Sequence, residues 1–210
     1  MTIFLYILLI FLRNLIDNKY NVYLSNGEVL NLQEQVITEN ELLLKKEMSQ
    51  ELYNKLVRDN KIYELMEMAV KYISIRLRSI KEVKDYLLKK DGSNNEVEDA
   101  VQKLIESGYL DDDRFTKAFI KDKLKFTTIG DYKIKMQLNK LGVSTSIIED
   151  NMNKIDEHII EEKIKKIIEK DKKTNKKYSG QILKNKIYNH LLNQGYSQEK
   201  VITIINTYDF

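Results

Sequence analysis

Apolar residues recur along most of this chain at the three- and four-residue spacing of an amphipathic helix. From about residue 38 that spacing predicts helices over 39–46, 50–58, 60–77, 80–90, 95–107, 112–127, 131–141, 145–155, 157–172, 178–194 and 198–207. Thr38 with Glu41, and Ser79 with Glu82, fit the capping box in which a hydroxyl and a carboxylate satisfy the free amides of a helix start. Gly108, Gly142 and Gly195 stand where helices should end, since glycine enters the left-handed conformation cheaply.

Two stretches break the helical pattern. Tyr20–Leu24 and Val29–Leu32 are β-prone runs flanking Ser25-Asn26-Gly27-Glu28, which predicts a hairpin with a type I′ turn at Asn26-Gly27. A lone hairpin is marginal in water, so it needs a helix or partner to pack on. Ile3 to Leu12 is a continuous apolar run followed by Arg13. It is short of the roughly 20 residues that cross a bilayer. It also lacks the basic start and small-residue cleavage site of an export signal. The expectation is a buried helix, or a start placed upstream of the native one, with a membrane anchor as the lesser alternative.

Aligning the chain with itself reveals a repeat. Val83, Leu87, Val97, Val101 and Leu104 correspond to Ile134, Leu138, Ile148, Met152 and Ile155, and again to Ile187, Leu191, Val201, Ile205 and Tyr208. Gly142 and Gly195 follow the second apolar position by four residues; Asp91 holds that place in the first copy, with Gly92 next. A longer helix leads from each helix–turn–helix segment to the next, and such units bury their apolar faces only by stacking. The fold class predicted is all-α: tandem three-helix repeats in an elongated curved array, with a small N-terminal β-hairpin. The divisions are an apolar segment 1–17, a hairpin region 18–48, and repeats at 49–92, 93–142 and 143–210.

Composition narrows the chemistry. The chain is 42% hydrophobic over 210 residues, enough to build a core, and its net charge is only +3, so any basic surface must come from placement. It has no cysteine, which removes disulfides, thiol nucleophiles and cysteine metal sites and is compatible with a cytoplasmic setting. Two histidines, His158 and His190, leave little for a histidine-based site. No phosphate loop, metal cluster or nucleophile–base pair is visible, so no catalytic residue, metal ligand, cofactor or small-molecule substrate is expected. Ser79 reads as a helix cap and not as a nucleophile, and the triplet Asp111–Asp113 as a helix cap, not a metal loop.

Placed charge is the better functional signal. Arg114, Lys117, Lys121 and Lys125 follow spacings of 3, 4 and 4, which puts four cations on one helix face, while Phe115, Phe119 and Phe126 lean toward another. Lys163, Lys166, Lys170 and Lys173 repeat the device, and residues 160 to 190 hold ten lysines against four acids. A lysine stripe is often only a solvated face, but two at corresponding repeat positions suggest a counterpart: a phosphate backbone or an acidic protein groove.

Two motifs carry a family resemblance. Ala69 through Val83, with Tyr72, Arg76, Arg78, Ser79 and Glu82, resembles the signature that opens the repeated region of RecX proteins. Gly108-Tyr109-Leu110-Asp111-Asp112-Asp113-Arg114-Phe115 resembles the family's Gly-Tyr-Leu-Asp-Asp element, and Gly130 and Gly142 also fall where the family pattern has glycine. The resemblance spans roughly residues 18 to 208. It implies a non-catalytic cytoplasmic regulator of RecA, bound to the RecA filament on single-stranded DNA and altering its recombinase and co-protease activity. Direct DNA contact without RecA, or a helical scaffold for another protein, are the rival readings, and membrane association is not expected. Arg76, Arg78 and the eight cations above are the candidate contact residues. Tyr72, Ser79, Glu82, Gly108, Tyr109, Asp111, Asp112, Phe115, Gly130 and Gly142 read as structural, with Tyr109 and Leu110 anchoring a turn to the core.

Overall fold

The computed structural model describes the backbone of residues 5–14 and 19–210, and side chains from residue 19 onward. It divides into two compact units: residues 1–77 with 83–110, and residues 78–82 with 111–210.

The first unit opens on a four-stranded antiparallel sheet in the order β3-β2-β1-β4, from β1 (Leu5–Asn14), β2 (Lys19–Leu24), β3 (Val29–Gln33) and β4 (Glu47–Met48). The apolar run expected as a helix is therefore strand β1, paired with β2 and β4. Residues 1–4 and 15–18, which complete that N-terminal segment, lie outside the described residues. The hairpin between β2 and β3 forms as predicted, with a different turn. Tyr23 pairs with Val29, Gly27 N–H donates to the Leu24 carbonyl at 3.0 Å, and Leu24 N–H to that of Glu28 at 2.9 Å. Only Gly27 has a positive φ, +85°, so this is a three-residue loop closed by one left-handed glycine, not a type I′ pair. The alternating Val22, Leu24, Leu30 and Leu32 are buried and pack with Val36, Ile37, Leu42, Met48 and Leu56.

Helix α1 spans Glu34–Glu39 and α2 spans Gln50–Ile75. The capping box expected at Thr38 does not form. Thr38 lies in the last turn of α1, its hydroxyl donating to the Glu34 carbonyl at 2.9 Å, and Glu41 is left-handed at φ +49°. The break expected near residue 59 is also missing, because Asp59 and Asn60 serve side-chain contacts instead of capping. Asn60 Oδ1 accepts the Gln33 N–H at 2.8 Å, and Asp59 pairs with Lys55 at 3.8 Å.

After α2 come α3 (Ile80–Leu88), α4 (Asn94–Glu106), α5 (Asp112–Phe126), α6 (Asp131–Lys140), α7 (Thr145–Met152), α8 (Glu157–Thr174), α9 (Gly180–Gln194) and α10 (Gln198–Ile205). With α2 they form three sets of three helices, and the first helix packs on the third in each set: α2 on α4, α5 on α7, α8 on α10. Every apolar position aligned from sequence except Ile155 and Tyr208 is buried. Ile134, Leu138, Ile148 and Met152 belong to one core, Ile187, Leu191, Val201 and Ile205 to another, with Ile155 and Tyr208 packed at their margins. Val83, Leu87, Val97, Val101 and Leu104 are buried to the same degree.

The sets are joined by a contact made twice in the second unit. Ser79 Oγ donates to the Leu141 carbonyl at 2.7 Å, and in the corresponding place Gly130 N–H donates to the Gln194 carbonyl at 2.8 Å. Each contact seats the start of one short helix on the glycine turn of the following repeat. A Cβ on Gly130 would come within 2.4 Å of the Gly195 carbonyl carbon, so glycine is dictated there by backbone approach.

Candidate nucleic-acid and protein interface

Ser79 and Glu82 of the first motif and Asp112 of the second meet at the start of α3. Ser79 N–H donates to Glu82 Oε2 and Glu82 N–H to Ser79 Oγ, both at 3.2 Å, which is the predicted capping box. Asp112 reaches back from the second motif, its Oδ1 accepting the Ile80 N–H at 2.9 Å. Burial pushes the Asp112 carboxyl above the ordinary aspartate range, partly offset by that bond. Asp111 caps α5, accepting N–H groups of Asp113 and Arg114 at 2.8 and 3.0 Å.

Arg78 pairs with Glu82 at 3.5 Å and is largely covered, whereas Arg76 is exposed. Tyr72 stacks on Tyr86, with ring centroids 4.1 Å apart and planes within 7°. Gly108 ends α4 at φ +72°, and Phe115 is buried in the second repeat's core. Of the turn pair expected as anchors only Leu110 is buried; Tyr109 is 49% exposed. Its ring lines a groove of about 370 Å³ with Tyr63, Met66 and Val70. Most of the family-motif residues thus hold helices together, while Arg76 and Arg114 among them are exposed cations.

The first stripe lies as expected: Arg114, Lys117, Lys121 and Lys125 are all exposed along α5. Lys117 bonds Asp113 one turn back at 2.5 Å, which raises the lysine pKa; the Asp113 carboxyl is lowered first by the bond it accepts from Asn151 at 2.8 Å and then by Lys117. Lys125 sits over the Phe126 ring, 5.0 Å from its centroid, and that ring is 71% exposed.

The second stripe divides. Lys166, Lys170 and Lys173 are exposed on α8. Lys163 is half-buried, and its ammonium donates to the carbonyls of Lys123, Leu124 and Thr127 at 3.3, 2.9 and 2.8 Å. It therefore closes the C-terminal end of α5, where carbonyls have no helical partner and the dipole favours a cation. Burial lowers its pKa.

Beside the α5 stripe runs a cleft of about 560 Å³, walled by α5 and by the α7–α8 junction. Ile120, Leu124, Ile155 and Ile159 form its apolar lining, and Lys117, Lys121, Lys125 and Lys154 its cations, with Asp156 the one acidic residue. Spacing along a single helix could not reveal Lys154 or Ile159, which meet α5 only through tertiary packing. The signal available was the pair Ile159-Ile160, of which one faces the core and the other solvent. Among the described residues, no helix is long and apolar enough to cross a membrane.

The fold and this surface define a class: a tandem three-helix-repeat protein with a cationic, partly apolar face turned to solvent. Comparison with known proteins identifies the group within it. Residues 66–104 match the family model for RecX, first three-helix domain. The regulatory protein RecX of Halalkalibacterium halodurans is 30% identical over 185 residues, 86% of this chain and 70% of that one. RecX of Geobacillus sp. is 30% identical over 193 residues, 89% of this chain and 70% of its own length. The chain belongs to the RecX family. A crystal structure of regulatory protein RecX shares the fold at TM-score 0.84 and 19% identity, covering 96% of this chain and 99% of that one. RecX from Lactobacillus salivarius superposes at TM-score 0.68 with 27% identity, over 71% of this chain and 97% of the other. These relatives are named as regulatory proteins, not as enzymes.

Proposed function

We propose that this protein binds the nucleoprotein filament that RecA forms on single-stranded DNA, in the cytoplasm, and inhibits its recombinase and co-protease activities. The observation that carries the reading is membership of a family of regulatory proteins. The architecture supplies a means. Repeats offer many weak contacts in fixed register, and their sum holds a filament that no single contact would. The exposed α5 cations and Arg76 are the contact candidates, and docking along the filament would block its growth or occlude its groove.

The test is RecA's ATP hydrolysis on single-stranded DNA, titrated with this protein to stoichiometric amounts. A progressive fall is expected; hydrolysis unchanged across that range contradicts inhibition.

A second reading, direct nucleic-acid binding without RecA, is favoured by the exposed Lys166, Lys170 and Lys173 on α8. It predicts salt-sensitive binding to naked single strands that weakens when those three are changed to glutamine. Lys163 is left intact in that variant, because its ammonium holds the end of α5.

A further inference from the structure

We infer that the cleft between α5 and the α7–α8 junction takes an acidic, amphipathic protein segment that lays aliphatic side chains on the floor and carboxylates along the rim. The inference rests on the reading that the α5 face is the protein's contact surface, and it names the chemistry of what binds there.

Charge complementarity sets the first requirement. Four lysines border the cleft against one aspartate, and that aspartate, Asp156, is already engaged as the cap of α8, its Oδ1 accepting the His158 N–H at 2.9 Å. Lys121 and Lys154 form no ion pair among the described residues, so their ammonium groups are available to a carboxylate. Hydrocarbon sets the second. Ile120 is 5% exposed and belongs to the core, whereas Ile159, one residue before the buried Ile160, is 45% exposed and opens onto the cleft. A volume of about 560 Å³ lies within the range of clefts that bury a ligand, about 300–1,000 Å³.

The same lining disfavours a nucleic-acid strand. Sequence-tolerant strand binding stacks bases on aromatic rings, and every apolar residue lining this cleft is aliphatic. Phosphates would gain from the lysines and nothing from the floor. A helix with leucines on one face and glutamates on the other uses both, in the helix-in-groove mode.

The test uses the full chain and fluorescence anisotropy with three labelled probes. One is a peptide of about 18 residues with leucine at helical spacing and glutamate elsewhere. The second replaces its leucines with serine, and the third is an oligothymidylate of about 20 nucleotides. The leucine peptide is expected to bind at least roughly tenfold more tightly than the serine peptide. Ile159→Asp, and Lys121→Glu with Lys125→Glu, should each erase about that margin. All three side chains are exposed, and an unchanged urea midpoint confirms that the variants fold. Equal affinity for the two peptides, or peptide binding indifferent to Ile159→Asp, overturns the inference. So does an oligothymidylate that binds more tightly than the leucine peptide and loses affinity with Ile159→Asp. Co-sedimentation of the wild-type protein with RecA filaments runs in parallel: a filament-bound protein without peptide selectivity discards the cleft alone, and an unbound protein discards the function proposed above.

Discussion

Asp91 holds a left-handed backbone, φ +59°, at the place in the first repeat that Gly142 and Gly195 hold in the others. The left-handed region costs an L side chain about 1 kcal/mol relative to glycine. Asp91→Gly should therefore raise stability by about 0.5 kcal/mol after the greater freedom of glycine in the unfolded chain is set against it. The urea midpoint measures this, and a lower midpoint contradicts it. Tyr196 makes a second prediction at the same scale. Its buried hydroxyl donates to the Thr128 carbonyl at 3.0 Å, and burial, helped by the charge of Asp131, pushes its pKa up to about 12 from 10.0. The folded protein keeps this proton where the unfolded chain has lost it. The contribution is whole below pH 10.0 and falls away as pH rises toward about 12, by about 1.4 kcal/mol per unit. Tyr196→Phe should flatten that alkaline loss, seen in urea midpoints across the window. Asp91 was legible in the sequence because repeat register put it opposite two glycines. The Tyr196 bond was not, because its partner lies 68 residues away.

At the scale of elements, two cation stripes that look alike in sequence differ at Lys163, whose ammonium is spent on backbone carbonyls. Lys163→Met should cost about 2 kcal/mol, since it removes charge-assisted bonds to the Leu124 and Thr127 carbonyls at the end of α5 in a partly buried place. Lys166→Met, on the exposed face, should fall within about 0.5 kcal/mol of wild type. Urea denaturation separates them, and equal effects would remove the capping role of Lys163. Helices α3 to α10 were legible to within a few residues because their caps and apolar spacing agree, as at Ser79 and Glu82. Reading failed where a polar residue had a tertiary use. Asp59 and Asn60 resemble a helix break until β3 is there to be bonded, and the apolar run of β1 lacks any period that separates a buried strand from a buried helix. The α5 stripe could be read from one helix, but the cleft beside it needed α7 and α8 in place.

For the whole molecule, three repeats share a plan, a first helix packed on the third helix of its set, and the turns of the second and third repeats each receive the start of a neighbouring helix. The residues that identify the RecX family mostly build this plan. Ser79, Glu82 and Asp112 cap α3, Asp111 caps α5, and Gly130 permits backbone contact. Side chains outside these caps must then supply the contacts that the proposed regulation requires, and α5 carries four exposed cations, Arg114, Lys117, Lys121 and Lys125, aligned on one face. The most direct test is co-sedimentation with RecA on single-stranded DNA, with naked DNA and RecA alone as controls, using wild type and a variant with Arg114, Lys117, Lys121 and Lys125 changed to glutamine. Wild type is predicted to pellet with the filament and with neither control, and the variant to lose roughly tenfold or more of that affinity. A wild-type protein that stays in the supernatant with the filament, or a variant that pellets equally well, would contradict the account.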